Sequence, residues 1–310
     1  MSNPWPDLAL DAWQETYTTL HMWTQIVGKI RLVQTPWINH SWHVPLYLTA
    51  RGLTTATLPY DHRIFQIDFD FIDHQLRIAT SEGQTQTLEL RPRSVADFYQ
   101  ALMDALTALD ISIKINTLPN EVTDPIPFEQ DETHHAYDAD YANRFWRVLL
   151  QSERVFRKFR SHFSGKVSPV HFFWGSFDLA VTRFSGQSAP DHPGGVPNLP
   201  DAVAKEAYCQ EVSSAGFWPG AGLGYPAYYS YAYPTPDKFK EAPVQPEAAF
   251  FNEALGEFIL PYEAVREAEE PDQCLLAFLQ STYEAAANLA NWEQMALRQT
   301  WFKDTKELRF

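Results

Sequence analysis

S-P-V-H-F-F-W-G-S-F-D-L-A-V-T-R-F-S-G, residues Ser168 to Gly186, decides how this chain is read. Two apolar, β-prone runs flank a Gly175-Ser176 break, which is the signature of a hairpin. Only three side chains in it ionise: His171, Asp178 and Arg183. An unpaired charge in so apolar a run is costly, so each of the three needs a partner or a solvent-filled cavity. A carboxylate beside an imidazole fixes its tautomer and raises its basicity, so the trio is the candidate catalytic group, with His171 as base and Asp178 as its orienter. The competing reading is an ordinary ion pair between Asp178 and an arginine.

A similar pattern stands earlier, at L-Y-L-T-A-R-G-L-T-T-A-T, Leu46 to Thr57. Around each hairpin the elements repeat. In the first half, apolar residues from Leu8 to Leu32 recur at spacings of three and four, as in an amphipathic helix that Pro36 ends. Strands are expected at His43 to Ala50 and Leu53 to Leu58. The clearest is Arg63 to Ile72, where Phe65, Ile67, Phe69 and Phe71 alternate with polar residues. Leu76 to Thr80 and Thr85 to Leu90 continue the meander, Ser94 caps a helix, and Ile111 to Ile115 reads as a short strand. In the second half, Asp138 caps a long helix reaching Phe163. The quoted hairpin follows it, with further strands at Glu206 to Phe217, Ala227 to Tyr233 and Glu257 to Pro261. Pro271 opens a last helix. The expected fold is α+β: two similar halves of helix, antiparallel sheet and helix, 1–118 and 138–310, as an internal duplication would produce. Between them, 119–137 is a proline-rich acidic connector.

Composition bounds the function. The chain has 310 residues, 45% hydrophobic and 20% charged, which is globular composition. Its net charge of −15 argues against nucleic acid and anionic membrane as partners. No run is long and apolar enough for a membrane span, the first residues lack a signal-peptide pattern, and two cysteines suit a reducing cytoplasm.

N-H-S-W-H-V-P-L-Y (39–47), P-N-E-V (119–122), S-P-V-H-F-F-W-G-S-F-D-L-A (168–180), E-V-S-S-A-G-F-W-P-G (211–220) and Y-S-Y-A-Y-P (229–234) carry a resemblance. Together they resemble a bacterial family of uncharacterised proteins known only as a domain of unknown function. The resemblance spans nearly the whole chain and implies one shared architecture of this length. It implies no chemistry.

The aromatic richness, with 10 Trp, 14 Tyr and 21 Phe, fits a heavy core and equally a ligand-binding wall. Tyr229, Tyr231 and Tyr233 alternate on one strand face. Trp174, Glu211, Trp218, Tyr229 and Tyr231 are the candidate ligand-binding residues. Glu211 precedes a Gly-rich loop, Gly216 to Gly224, which lacks the P-loop pattern. His40 and His43 are weak metal candidates, since no cluster has zinc or facial-triad spacing. Asp68, Asp70, Asp73 and His74, and likewise His134-His135, read as solvated surface. The basic run from Arg154 to Arg160 reads as a complement to a helix C-terminus. No cofactor motif and no nucleophile elbow is present. Three functions fit these residues. The first is small-molecule binding in an aromatic-lined cleft of the C-terminal half. The second is a hydrolase or metal-assisted enzyme using His171 and Asp178. The third is a partner-binding scaffold without a small ligand.

Overall fold

A computed structural model describes residues 4–293 and 297. The fold is α+β, with two antiparallel sheets and a helix before and after each. In the first half, α1 (Gln14–Gln34) leads into β1 (Tyr47–Leu48), β2 (Gly52–Thr54), β3 (Leu58–Tyr60), β4 (Arg63–Asp70), β5 (Gln75–Thr80) and β6 (Thr85–Glu89). α2 (Val95–Thr107) closes that half. The sheet order is β1-β2-β4-β5-β6, with β3 also paired to β4. In the second half, α3 (Ala139–Ser161) precedes β7 (His171–Phe173) and β8 (Asp178–Ser188). A short helix α4 (Asp201–Ala207), β9 (Gln210–Trp218), β10 (Ala227–Tyr233), β11 (Phe250–Asn252) and β12 (Glu257–Pro261) follow. α5 (Tyr262–Arg266) and α6 (Pro271–Leu289) end the described chain. The second sheet runs β11-β12-β10-β9-β8-β7.

Each sheet is antiparallel with its first strand at one edge, and those two edges meet. Leu46 N–H donates to the Phe172 carbonyl at 2.9 Å, and Phe172 N–H returns a bond to Leu46 at 3.0 Å. One continuous apolar core runs from Trp5 to Trp292 across both halves. The segment between the halves is anchored in it: Phe128 and Asp131 are fully buried, and the Asp131 carbonyl accepts from Ala96 N–H at the start of α2.

Local signals account for several elements. β4 alternates as expected, burying Phe65, Ile67 and Phe69. The Ser94 side chain accepts from Asp97 N–H at 3.1 Å, and Asp138 caps α3 through Tyr141 N–H at 3.0 Å. Four expectations are corrected. Ile111 to Ile115 forms no strand: its apolar residues pack, but no neighbour offers a ladder. The expected strand from Glu206 begins only at Gln210, because Asp201–Ala207 is helical. The strand expected over His43 to Ala50 is confined to Tyr47–Leu48, since the chain before it makes a tight turn with His40 at φ 58°. Finally, α1 is not one-sided. It buries residues almost all round, including Thr16, Thr19, Thr24 and Gln25, because it is sandwiched between the halves. Its polar groups are satisfied there: Thr16 Oγ1 accepts from Asp138 N–H and Thr19 Oγ1 from Ala136 N–H.

Candidate functional site

The second sheet has two unlike faces, and strand parity assigns every side chain to one of them. Leu179, Val181, Ala215, Phe217, Tyr228 and Phe258 turn toward α3 and α6 as core. The opposite face carries rows set by register. One row is Thr182, Ser214 and Tyr231, in register across three strands, with Glu257 next in line on β12. The neighbouring row is His171, Ala180, Gly216, Tyr229 and Ile259.

Much of this face is the floor of a cavity of about 610 Å³. Its walls come from the 37–44 turn, Asn120-Glu121, the hairpin tip at Trp174 to Ser176, and α4 with the loop before it. The wall segments are tied together. Gln25 on α1 exchanges two hydrogen bonds of 2.8 Å with Asn120, Glu121 N–H donates to the Pro197 carbonyl at 2.9 Å, and Asn198 Nδ2 donates to Val122 at 2.8 Å. His21 donates its ring N–H to the Gly175 carbonyl at 2.8 Å, which pins the hairpin tip to α1.

Asp178 sits on the floor, 6% exposed. Ser176 Oγ donates to one carboxylate oxygen and Tyr229 Oη to the other. Tyr229 reaches it by lying across β9, and only a glycine leaves room: a Cβ on Gly216 would stand 2.3 Å from Tyr229 Oη. Gly175 plays the same part for Glu121, whose Oε1 would lie 2.0 Å from an added Cβ. Burial raises the Asp178 carboxyl to about 6, against the opposing pull of the Ser176 and Tyr229 hydrogen bonds. Burial, and then the charge of Asp178, raise Glu121 and Glu257 to about 7 each. Three carboxyls thus titrate near neutrality around one cavity. Tyr208 feels all three, and shares a 2.7 Å hydrogen bond with Tyr231.

Of the residues singled out from sequence, Trp174, Trp218, Tyr229, Tyr231 and Asp178 line this cavity, and His40 lies at its far end. Trp174 also has a packing role, since its indole N–H donates to the Val44 carbonyl at 2.8 Å. Glu211 is not among the lining residues; it belongs with the α3/α6-facing set by parity, and its Oε2 is buried without a hydrogen bond among the described residues. The trio His171, Asp178 and Arg183 is not a constellation. Arg183 lies on the opposite face, its guanidinium 3.4 Å from the Phe159 ring centroid and 4.3 Å from that of Tyr283, donating to the Phe159 carbonyl. Burial brings that guanidinium down to about 9. His171 shares the floor's face but is enclosed by the rings of Trp42, Tyr47 and Phe173, and neither ring nitrogen has a hydrogen-bond partner among the described residues. Burial, then the nearby Arg31 and Arg160, hold it neutral, near 3.

The two histidines of the 37–44 turn are already engaged. His40 Nδ1 donates to the Ala207 carbonyl at 3.0 Å while its Nε2 accepts from Lys166. His43 Nδ1 accepts from Ile38 N–H at 3.3 Å and its ring packs on Trp37. Among the described residues, no three His, Cys, Asp or Glu side chains converge as a metal site would need. Likewise, no described helix is long and apolar enough to cross a membrane. Sequence reasoning passed over Glu121, Tyr208 and Glu257. Glu121 stood in a connector and Glu257 at the start of a strand, and neither position carries a local signal of what it faces.

Residues 5–299 match the model of a family described as a family of unknown function, DUF5996, and the chain belongs to that family. Neither the curated proteins nor the solved structures contain a match.

Proposed function

We propose that this member of DUF5996 binds a small organic molecule in the cavity above the second sheet. The observation that carries this reading is the cavity itself: about 610 Å³, with mostly apolar and aromatic walls and a few polar groups converging on its floor. That combination of size and lining is what small-molecule sites share. Its polar groups are held in place before any ligand arrives. Asp178 is gripped by Ser176 and Tyr229, Tyr231 by Tyr208, and Ser214 by Thr182 at 2.8 Å. Such pre-organisation lowers the ordering cost of binding. The two free cysteines, Cys209 and Cys274, and the acidic composition support action in a reducing cytoplasm rather than on nucleic acid or a membrane surface.

The reading is tested by thermal-shift screening of a metabolite library against the wild-type protein and two cavity-filling variants, Val203→Trp and Leu199→Trp. Both substituted residues line the wall, not the floor. Compounds that raise the melting temperature of the wild type and of neither folded variant support the site. Stabilisation that persists in both variants places binding elsewhere and ends the proposal.

A further inference from the structure

The charge of the cavity goes further than its shape. Among the described residues its lining holds three carboxyls, Glu121, Asp178 and Glu257, and neither lysine nor arginine. The one imidazole, His40, is occupied on both nitrogens. Asp178 is buried and Glu121 and Glu257 are half-buried, and acids so withdrawn from water are ordinarily met by a cation of the protein. Here Asp178 is satisfied by two hydroxyls, but the Glu121 and Glu257 carboxyls have no hydrogen bond and no ion pair among the described residues. The forces acting on both are burial and the charge of Asp178, each of which disfavours the ionised form.

Around these acids stand π faces. Tyr229 and Tyr231 lie stacked at 6.1 Å and 17°, and Trp42, Trp218 and Tyr208 complete the aromatic surround. A ring face attracts a positive charge within about 6 Å, most strongly when water is excluded. A compact metal ion does not suit the site, since the acids do not converge as ligands and most of the wall is apolar.

We propose that the ligand of this cavity is an organic cation, an amine or quaternary ammonium carrying an apolar group, whose charge is taken by Glu121 and Glu257 while its apolar part lies on the tyrosine and tryptophan faces. This rests on the reading of the cavity as a small-molecule site and assigns that ligand its chemical class.

Three probes of matched shape separate the two ideas: 4-phenylbutylamine, 4-phenylbutanol and 4-phenylbutyrate, titrated calorimetrically at pH 8 into the full chain. The amine is expected to bind at least about tenfold more tightly than the alcohol, an electrostatic gain of ordinary size for a desolvated charge pair, and the carboxylate is expected not to bind. Glu121→Gln and Glu257→Gln are near-isosteric, remove a half-buried charge that has no partner among the described residues, and so leave the fold intact. Each is expected to lower the amine's affinity several-fold, and the pair together to bring it to that of the alcohol. If the alcohol or the carboxylate binds as tightly as the amine, the cation assignment is overturned and the binding site stands. If the amine's advantage survives in the double variant, these carboxyls do not supply it and the assignment also fails. If no probe binds, the cation assignment fails, while the small-molecule reading is decided by the thermal-shift screen and its two cavity-filling variants.

Discussion

Replacing Asp178 with Asn should make this protein more stable in alkali. The carboxyl is raised from its ordinary 3.8 to about 6, chiefly by burial. A group whose folded-state pKa lies above its unfolded one favours the fold when protonated. Its contribution is complete below 3.8 and is lost as the pH rises through 6. About two units at about 1.36 kcal/mol each set the full swing at about 3 kcal/mol, of which about 2 kcal/mol falls between pH 4.5 and pH 8. The groups facing Asp178 do not reverse the sign: Glu121 and Glu257 are acids that its charge repels, while Ser176 and Tyr229 are hydroxyls. Asn keeps both partners, because its amide oxygen accepts from Tyr229 and its amide nitrogen donates to Ser176. Urea unfolding followed by tryptophan fluorescence at the two pH values measures the effect. Asp178→Asn should gain about 2 kcal/mol relative to wild type on going from pH 4.5 to pH 8. A stability difference that is constant with pH, or one that turns against the variant at pH 8, would refute the reasoning.

Two further outcomes follow from the same geometry. His171, held near 3 against an ordinary 6.5, contributes stability above pH 6.5 that is lost as the pH falls toward 3. His171→Leu should therefore unfold less readily in acid, by about 3 kcal/mol at pH 4.5 relative to pH 8, and a variant as acid-labile as wild type would contradict the burial of that ring. Gly216→Ala places a Cβ 2.5 Å from the Leu179 carbonyl oxygen as well as against Tyr229. It should cost about 1–3 kcal/mol, as overpacking does, and a melting temperature equal to wild type would show that Tyr229 does not lie across β9.

The fold was legible where a local rule operates: the alternation of β4, the caps at Ser94 and Asp138, and the hairpin about Gly175 each need only a few neighbouring residues. The separation of Arg183 from Asp178 was legible too. They stand five apart on one strand, and an odd spacing puts them on opposite faces. His171 and Asp178 do share a face, but Trp42, arriving from the 37–44 turn, covers the imidazole. No periodicity announces that. Glu257 enters the cavity because β12 pairs with β10 across an intervening proline-rich excursion, and Glu121 enters because Asn120 is bonded to Gln25, 95 residues earlier in the chain. Both depend on long-range pairing, which leaves no trace in a window of sequence. The strand expected at Ile111 to Ile115 failed for the complementary reason. Alternating apolar residues describe burial, and a strand also needs a partner.

Where an organic cation rests in the cavity can be seen directly. A crystal structure of the protein soaked with 4-phenylbutylamine should show the phenyl ring against Trp218 or Tyr229 and the ammonium about 3 Å from a carboxylate oxygen of Glu121 or Glu257. An amine found only outside the cavity, or seated in it with its ammonium turned away from both glutamates, would contradict the account.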